Sequence, residues 1–71
     1  MHITVTDDPV SARYLIVTGR VRHWLRDNAI PAMWLPAHRG FCVRRDWLPD
    51  LLALADAQGH RVTLVGSEVS S

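Results

Sequence analysis

The sequence contains one cysteine, Cys42, so no disulfide can form within its 71 residues. A domain of this size buries only roughly 60% of the surface of the unfolded chain, which leaves its stability marginal. The chain must therefore depend on close packing or on a partner subunit. Apolar residues make up 48% of the sequence, which is enough for a compact core. The unpaired thiol favours a reducing, cytoplasmic location.

The first half of the chain predicts a strand followed by a helix. Alternation of apolar and polar residues over 2–6 is typical of a half-buried strand. Asp7-Asp8-Pro9 has the composition of a helix start. Apolar residues then recur at spacings of three and four from Val10 to Trp24, which predicts one helix to about Asn28, bent at Gly19. Within it, residues 14–17 have the local character of a strand.

A hairpin is predicted around Pro36-Ala37-His38-Arg39-Gly40, between strands over 30–35 and 41–45. A five-residue loop would place four apolar residues together on the buried side: Met33, Leu35, Phe41 and Val43. It would leave Trp34 on the opposite face, whereas a four-residue loop would bury Trp34, because a slip of one residue exchanges the two faces. We favour the five-residue loop because it groups the apolar side chains.

The second half predicts a helix capped by Asp46 and ended by Gly59, with Pro49 and Asp50 in its first turn. Four apolar residues form its inward face: Leu48, Leu51, Leu52 and Ala55. A last strand over 60–65 follows, with Val62 and Leu64 facing inward.

These elements predict a single α+β domain over residues 1–65 with the order β-α-β-β-α-β. Two helices would cover one face of a four-stranded antiparallel sheet, as in ferredoxin-like folds. Residues 66–71 are predicted to form a flexible tail. The other sheet face would carry His2, Thr4, Thr6, Trp34, Arg44, Arg61 and Thr63.

The sequence shows none of the patterns that support catalysis or metal binding. Its four histidines and Cys42 lie far apart, without the close pairs typical of zinc sites, so we expect no metal and no other cofactor. Arg44 could lower the pKa of Cys42, but no histidine is placed to act as its base. The glycines are isolated, which excludes a phosphate loop. We therefore predict no enzymatic activity, and the absence of a long apolar run predicts no membrane contact.

Positive charge is concentrated in the middle of the chain. All eight basic residues are arginines, and seven of them lie between residues 13 and 45, where Asp27 is the one acid. Guanidinium groups bind phosphates, and a tryptophan can stack on a base. We predict a nucleic-acid-binding surface made of Arg20, Arg22, Arg26, Trp34, Arg39 and Arg44. A simpler explanation is that the arginines solvate the surface or pair with nearby acids, and a GC-rich genome would also favour arginine over lysine.

Residues 21–65 resemble the HARP-type accessory domain of annealing helicases. The resemblance rests on Trp34-Leu35-Pro36 in the place of an aromatic, a variable residue and proline. Arg39 lies in the following turn, Phe41 at the second aromatic position, and Leu51-Leu52 in the next helix. The sequence departs from the family at Leu35, where aspartate is frequent, and at Gly40, and these 71 residues contain no helicase core. The resemblance implies DNA binding, rather than RNA binding, by the first helix and the basic hairpin.

The alternative function is a protein-interaction module, homodimeric and phage- or plasmid-encoded, that acts on a partner protein. Its contact surface would be the outer sheet face or an edge strand, held by Trp34 and neighbouring aliphatic residues. A third interpretation is a subunit that lends a surface to a larger catalytic chain.

Overall fold

A computed structural model of the protein describes residues 1–65. The elements are β1 (His2–Asp7), β2 (Tyr14–Thr18), α1 (Arg22–Asp27), β3 (Met33–Leu35), β4 (Gly40–Arg44), a 3₁₀ helix (Arg45–Trp47), α2 (Leu48–Ala57) and β5 (Arg61–Val65). The strands form a mixed sheet in the order β3-β4-β2-β1-β5. Strands β1 and β5 are parallel, and the other neighbouring pairs are antiparallel. The tail predicted over 66–71 lies outside the described residues.

The prediction of an α+β domain is confirmed, but the ferredoxin-like arrangement is wrong, because an extra strand, β2, interrupts the first predicted helix and because β5 pairs in parallel with β1. Three consecutive residues of β2 are buried: Leu15, Ile16 and Val17. This strand lies between β1 and β4, so its strand neighbours shield it on both sides within the sheet, and its three buried residues in a row replace the alternation of a half-buried strand. The helical spacing from Val10 onward was therefore coincidental, and Val10 itself is 92% exposed.

Residues 8–13, predicted to start that helix, form a tight connection between β1 and β2. The Asp8 carboxylate accepts a hydrogen bond from the Val10 amide at 2.8 Å, which is the geometry of an Asx turn. The Ser11 hydroxyl accepts another from the Arg13 amide at 3.3 Å. Aspartate before proline thus makes a turn here, and the helix begins only at Arg22.

Both helices pack on one face of the sheet. The core joins α1 to α2 through residues of β1, β2 and β4. The buried residues of the strands, the helices and their connections that form it are Ile3, Val5, Leu15, Val17, Val21, Trp24, Leu25, Ile30, Val43, Leu51 and Ala55. The Trp24 indole donates a hydrogen bond of 2.6 Å to the Gln58 side chain, which links α1 to the end of α2. The inward face predicted for α2 is confirmed for Leu48, Leu51 and Ala55, but Leu54 packs against the core in place of Leu52.

Each helix ends in a Schellman motif. In α2 the amides of Gly59 and His60 donate to the carbonyls of Asp56 and Ala55, and Gly59 has a φ of 77°. In α1 the amides of Ala29 and Ile30 donate to the carbonyls of Arg26 and Leu25. Ala29 has a φ of 56° there, a conformation that normally favours glycine.

The hairpin has the four-residue loop, so the favoured register is wrong. Leu35 pairs with Gly40, Trp34 with Phe41, and Met33 with Cys42. Trp34 and Phe41 therefore lie on the helix side of the sheet, and Met33 on the open side with Cys42. The slip of one residue exchanges the two faces, as expected of a period-two element, but Trp34 stays 44% exposed and is not buried against Val43 as the four-residue alternative had it.

Two details of the second half also differ from prediction. Asp46 makes no capping hydrogen bond and lies within the 3₁₀ helix that precedes α2. Leu64 faces the helix side but remains 57% exposed, because the core ends at its neighbour Val62. On the open face, His2 contacts the Thr63 hydroxyl at 2.6 Å, as their predicted common face requires.

Candidate nucleic-acid interface

A cleft of about 400 Å³ opens on the helix side of the sheet, beside the β3–β4 hairpin. Its lining comes from the end of β2, the start of α1 and the hairpin: Gly19, Arg20, Val21, Arg22, His23, Trp34 and Phe41. Two arginines, one histidine and two aromatic residues thus border one recess.

The aromatic wall of the cleft is a pair of rings in edge contact. The ring centres of Trp34 and Phe41 are 5.1 Å apart, with an angle of 60° between their planes. The Arg22 guanidinium carbon lies 5.9 Å from the centre of the Trp34 ring, within the range of a cation–π contact. Trp34 nevertheless remains 44% exposed. Its orientation is fixed by its neighbours while much of its surface is open to a ligand.

The basic wall depends on how the chain leaves β2. Gly19 has a φ of 117°, and a Cβ atom at this position would lie 2.7 Å from the His2 carbonyl oxygen. Only glycine fits both conditions. The turn that it allows carries Arg20 and Arg22 to the rim of the cleft while Val21 is buried in the core. Packing of Val21 thus fixes the path of the chain between the two arginines.

The arginines of the cleft keep their charges uncompensated within residues 1–65. The ion pairs found there within 4.0 Å join Arg44 to Asp46, at 3.8 Å, and Arg45 to Asp7, at 2.9 Å. Neither pair involves Arg20 or Arg22. A cluster of unpaired guanidinium groups attracts phosphate.

Most of the residues predicted for the nucleic-acid surface lie in or near the cleft, and Arg44 lies apart from them. Arg20, Arg22 and Trp34 line the cleft, and Arg26 follows Arg22 by one turn of α1. Arg39 lies in the hairpin turn with a φ of 50°, next to Gly40.

Arg44 belongs elsewhere. It is at the far end of β4 from the hairpin, opposite Tyr14, on the open face of the sheet. Alternation along the strand places Phe41 and Arg44 on opposite faces. The expectation that Arg44 shares a surface with Trp34 is therefore wrong.

Two residues of the cleft were not included in the predicted site. The sequence placed Phe41 on the buried side of the hairpin and at an aromatic position of the HARP-type resemblance, and it gave His23 no role in binding. The hairpin register would have revealed Phe41 as the partner of Trp34, since cross-strand neighbours share a face. No signal in the sequence placed His23, because its position depends on where α1 begins.

The described residues bear on the thiol and metal chemistry considered from the sequence. Burial, and secondarily the Asp8 carboxylate, raise the pKa of Cys42, which opposes the lowering by Arg44 considered from the sequence. Within residues 1–65, no three histidine, cysteine, aspartate or glutamate side chains come together as a metal site requires. None of the helices in this region has the length and apolar character needed to cross a membrane.

Comparisons with protein-family models, with curated proteins and with solved structures gave no match to this chain. The resemblance of residues 21–65 to the HARP-type domain stays a prediction. The function must therefore be inferred from the residues of the cleft and their surroundings.

Proposed function

We propose that the protein is a small non-catalytic module that binds single-stranded nucleic acid in the cleft beside the β3–β4 hairpin. Arg20, Arg22 and Arg26 contact phosphates, and Trp34 stacks on a base. DNA is the favoured ligand, since that is what the resemblance to the HARP-type domain implies.

The observation that carries the proposal is an exposed tryptophan held between an aromatic ring and a guanidinium group. Proteins that bind single strands combine a basic groove with aromatic rings on which bases stack. Trp34 and Phe41 supply the rings, and Arg22 supplies a cation that already touches one of them. When a base stacks on Trp34, this guanidinium is near enough to move to the adjacent phosphate.

A single strand suits the cleft better than a duplex. Trp34 lies in a recess, so it meets only bases that have left a stack. Helix α1 has six residues, a length of about 9 Å, and its exposed side offers two arginines, Arg22 and Arg26, one turn apart. Such a short helix has little surface with which to follow the groove of a duplex. The turn residue Arg39 can extend the basic surface along a strand that leaves the cleft.

The test is fluorescence anisotropy of labelled single-stranded DNA, single-stranded RNA and duplex DNA over a series of salt concentrations. We expect affinity for the single strands to fall linearly with salt on logarithmic axes, with a slope near 0.7 for each phosphate contacted. Arg22→Gln should reduce that slope by roughly one contact. An affinity that does not change with salt contradicts the proposal.

The matched control is Arg44→Gln, which makes the same change of charge on the opposite face of the sheet. We expect this variant to retain the slope of the parent protein. Equal losses for the two variants would mean that only net charge matters and would exclude the cleft as the site.

Tryptophan fluorescence provides a second readout. Trp24 is buried and Trp47 is partly buried, so quenching on addition of an oligonucleotide should come from Trp34. The quenching should be absent in Trp34→Phe, which retains a ring at the site but removes the indole signal. Quenching that persists in this variant would place the ligand elsewhere.

A further inference from the structure

The two edges of the sheet differ in how they are protected from other strands. Strand β3 has three residues, and prolines at positions 31 and 36 lie close to its two ends. Short length and proline are the usual devices that block pairing at an edge. Strand β5 has five residues, contains no proline, and carries one charge, on Arg61 at its start. Among residues 1–65, no strand pairs with its outer side.

The backbone of β5 presents its free groups at alternate residues. The Arg61 amide donates to the Met1 carbonyl at 3.1 Å, so the polar groups of Arg61 point toward β1. In a parallel ladder the direction alternates, which turns the amides and carbonyls of Val62 and Leu64 outward. The same residues carry apolar side chains on the helix side of the sheet, where Val62 packs partly against the core and Leu64 is 57% exposed.

We propose that a second copy of this chain pairs with β5, antiparallel and centred on Thr63, to form a symmetric dimer. In this register Val62 of one copy lies opposite Leu64 of the other. Both residues have outward backbone groups, so each such pair exchanges its amide and carbonyl hydrogen bonds. Both side chains point to the helix side, so the two apolar pairs form there.

A second copy fits this edge because the strand is complementary to itself. A two-fold axis brings the same patch of both subunits together, so the apolar residues of the patch must lie opposite apolar residues when one strand is rotated onto the other. The register centred on Thr63 satisfies that condition and keeps the two Arg61 side chains apart at opposite ends of the paired strands, each facing Val65. A dimer also supplies the stabilisation that a domain of this size without a disulfide lacks.

The proposed dimer leaves the cleft free. Strand β5 and the β3–β4 hairpin occupy opposite edges of the sheet. Pairing at β5 would therefore give a particle with two separate clefts.

The first experiment is sedimentation velocity on the full chain from about 1 µM to about 1 mM. One strand and a few side chains form a small interface, so we expect a dissociation constant on the order of 10–100 µM. A protein that is monomeric over the whole range overturns the proposal.

Amide hydrogen exchange by NMR at the two ends of that range gives residue-level proof. The Thr63 amide points to β1 and should be protected at every concentration. The amides of Val62 and Leu64 should become protected only as the dimer forms. Protection of these two amides at the lowest concentration, in a monomer, would show that the chain covers its own edge and would overturn the proposal.

Leu64→Lys replaces the exposed apolar side chain of the interface, and we expect it to raise the dissociation constant by about tenfold or more. Val10→Lys makes the same change at a position that is 92% exposed in the β1–β2 connection, and should leave the constant unchanged. Met33→Lys tests the other edge of the sheet and should also have no effect. A dimer weakened by Met33→Lys and not by Leu64→Lys would place the interface at β3 and refute pairing at β5.

Discussion

Two groups of arginines that are indistinguishable in sequence have different surroundings in the structure. Arg20 and Arg22 line the cleft beside Trp34 without a carboxylate partner in residues 1–65. Arg45, at the other end of β4, donates to the Asp7 carboxylate at 2.9 Å and to the Ala12 carbonyl at 2.6 Å. Its neighbour Arg44 pairs weakly with Asp46.

The difference shows that a basic stretch of sequence does not define a basic surface. The Arg45 guanidinium ties the β1–β2 connection to the end of β4, so its charge is used within the fold. The arginines of the cleft have no such role, and their charge is available to a ligand. A count of arginines between residues 13 and 45 adds these groups together, although their surroundings in the structure differ.

The largest expected effect is the loss of stability caused by Gly19→Ala, which disrupts the turn that places Arg20 and Arg22 beside the cleft. We expect unfolding free energy to fall by about 2–4 kcal/mol, because the new Cβ atom meets the His2 carbonyl oxygen in a backbone conformation that alanine rarely adopts. Urea denaturation measures the change. Gly59→Ala is the control, since its φ is also positive but its Cβ atom would have open space; it should cost only about 1–2 kcal/mol. Equal costs would show that the contact with His2 is unimportant.

Trp34→Ala should lower the affinity for single-stranded DNA by roughly tenfold to a hundredfold, as expected for the loss of one stacked base. Stability should change less than affinity, because the side chain is half exposed. Anisotropy titrations and urea denaturation measure the two effects separately. Met33→Ala changes the adjacent residue on the opposite face and should bind as the parent protein does. A similar loss of affinity in both variants would indicate damage to the hairpin rather than loss of stacking.

Arg45→Met should lower unfolding free energy by about 1–2 kcal/mol, because it removes a charged hydrogen bond and a second one to a backbone carbonyl. Partial exposure of both Arg45 and Asp7 keeps the value in this modest range. Arg44→Met, which removes an exposed pair at 3.8 Å, should change stability by less than about 0.5 kcal/mol. If the two variants lost equal stability, the contrast between a structural and a solvated arginine would be wrong.

The smallest effect should be a gain from Ala29→Gly at the end of α1, the helix that carries Arg22 and Arg26. Ala29 has the left-handed conformation that glycine occupies in the equivalent motif of α2. Relief of that strain should raise unfolding free energy by about 0.5–1 kcal/mol. Thermal and urea unfolding should agree in sign. A loss of stability would mean that the added freedom of the unfolded chain outweighs the strain.

The success of sequence-based prediction differed between the two halves of the chain. Helix α2 was predicted well, because Pro49 and Asp50 at its start, Gly59 at its end and an apolar stripe all indicate the same element. The segment from Val10 to Asn28 gave conflicting signals. Its apolar spacing indicated a helix, while the run from Tyr14 to Val17 indicated a strand. Only the position of β2 in the middle of the sheet decided between them.

The candidate site was predicted only in part, again because contacts between distant residues decide which side chains share a face. The sequence grouped Trp34 with the arginines at 20 and 22 in one predicted site, and the structure places all three around one cleft, while their role in binding stays a prediction. The face of Trp34 was wrong, because it depended on whether the hairpin loop has four or five residues. Arg44 was grouped with Trp34 because a five-residue loop would place both side chains on the same face of the sheet. In the observed register the two residues lie on opposite faces.

The sequence by itself determined the α+β class, the first strand over residues 2–6, the hairpin, helix α2 and the strand that follows it. These features depend on local patterns of apolar residues, proline and glycine, which act within a few residues of one another. Only the tertiary structure decided that β2 is a strand, which face Trp34 occupies and which arginines lack a carboxylate partner within residues 1–65. Each of these depends on contacts between residues far apart in the chain, and the energy of such contacts outweighs local preference.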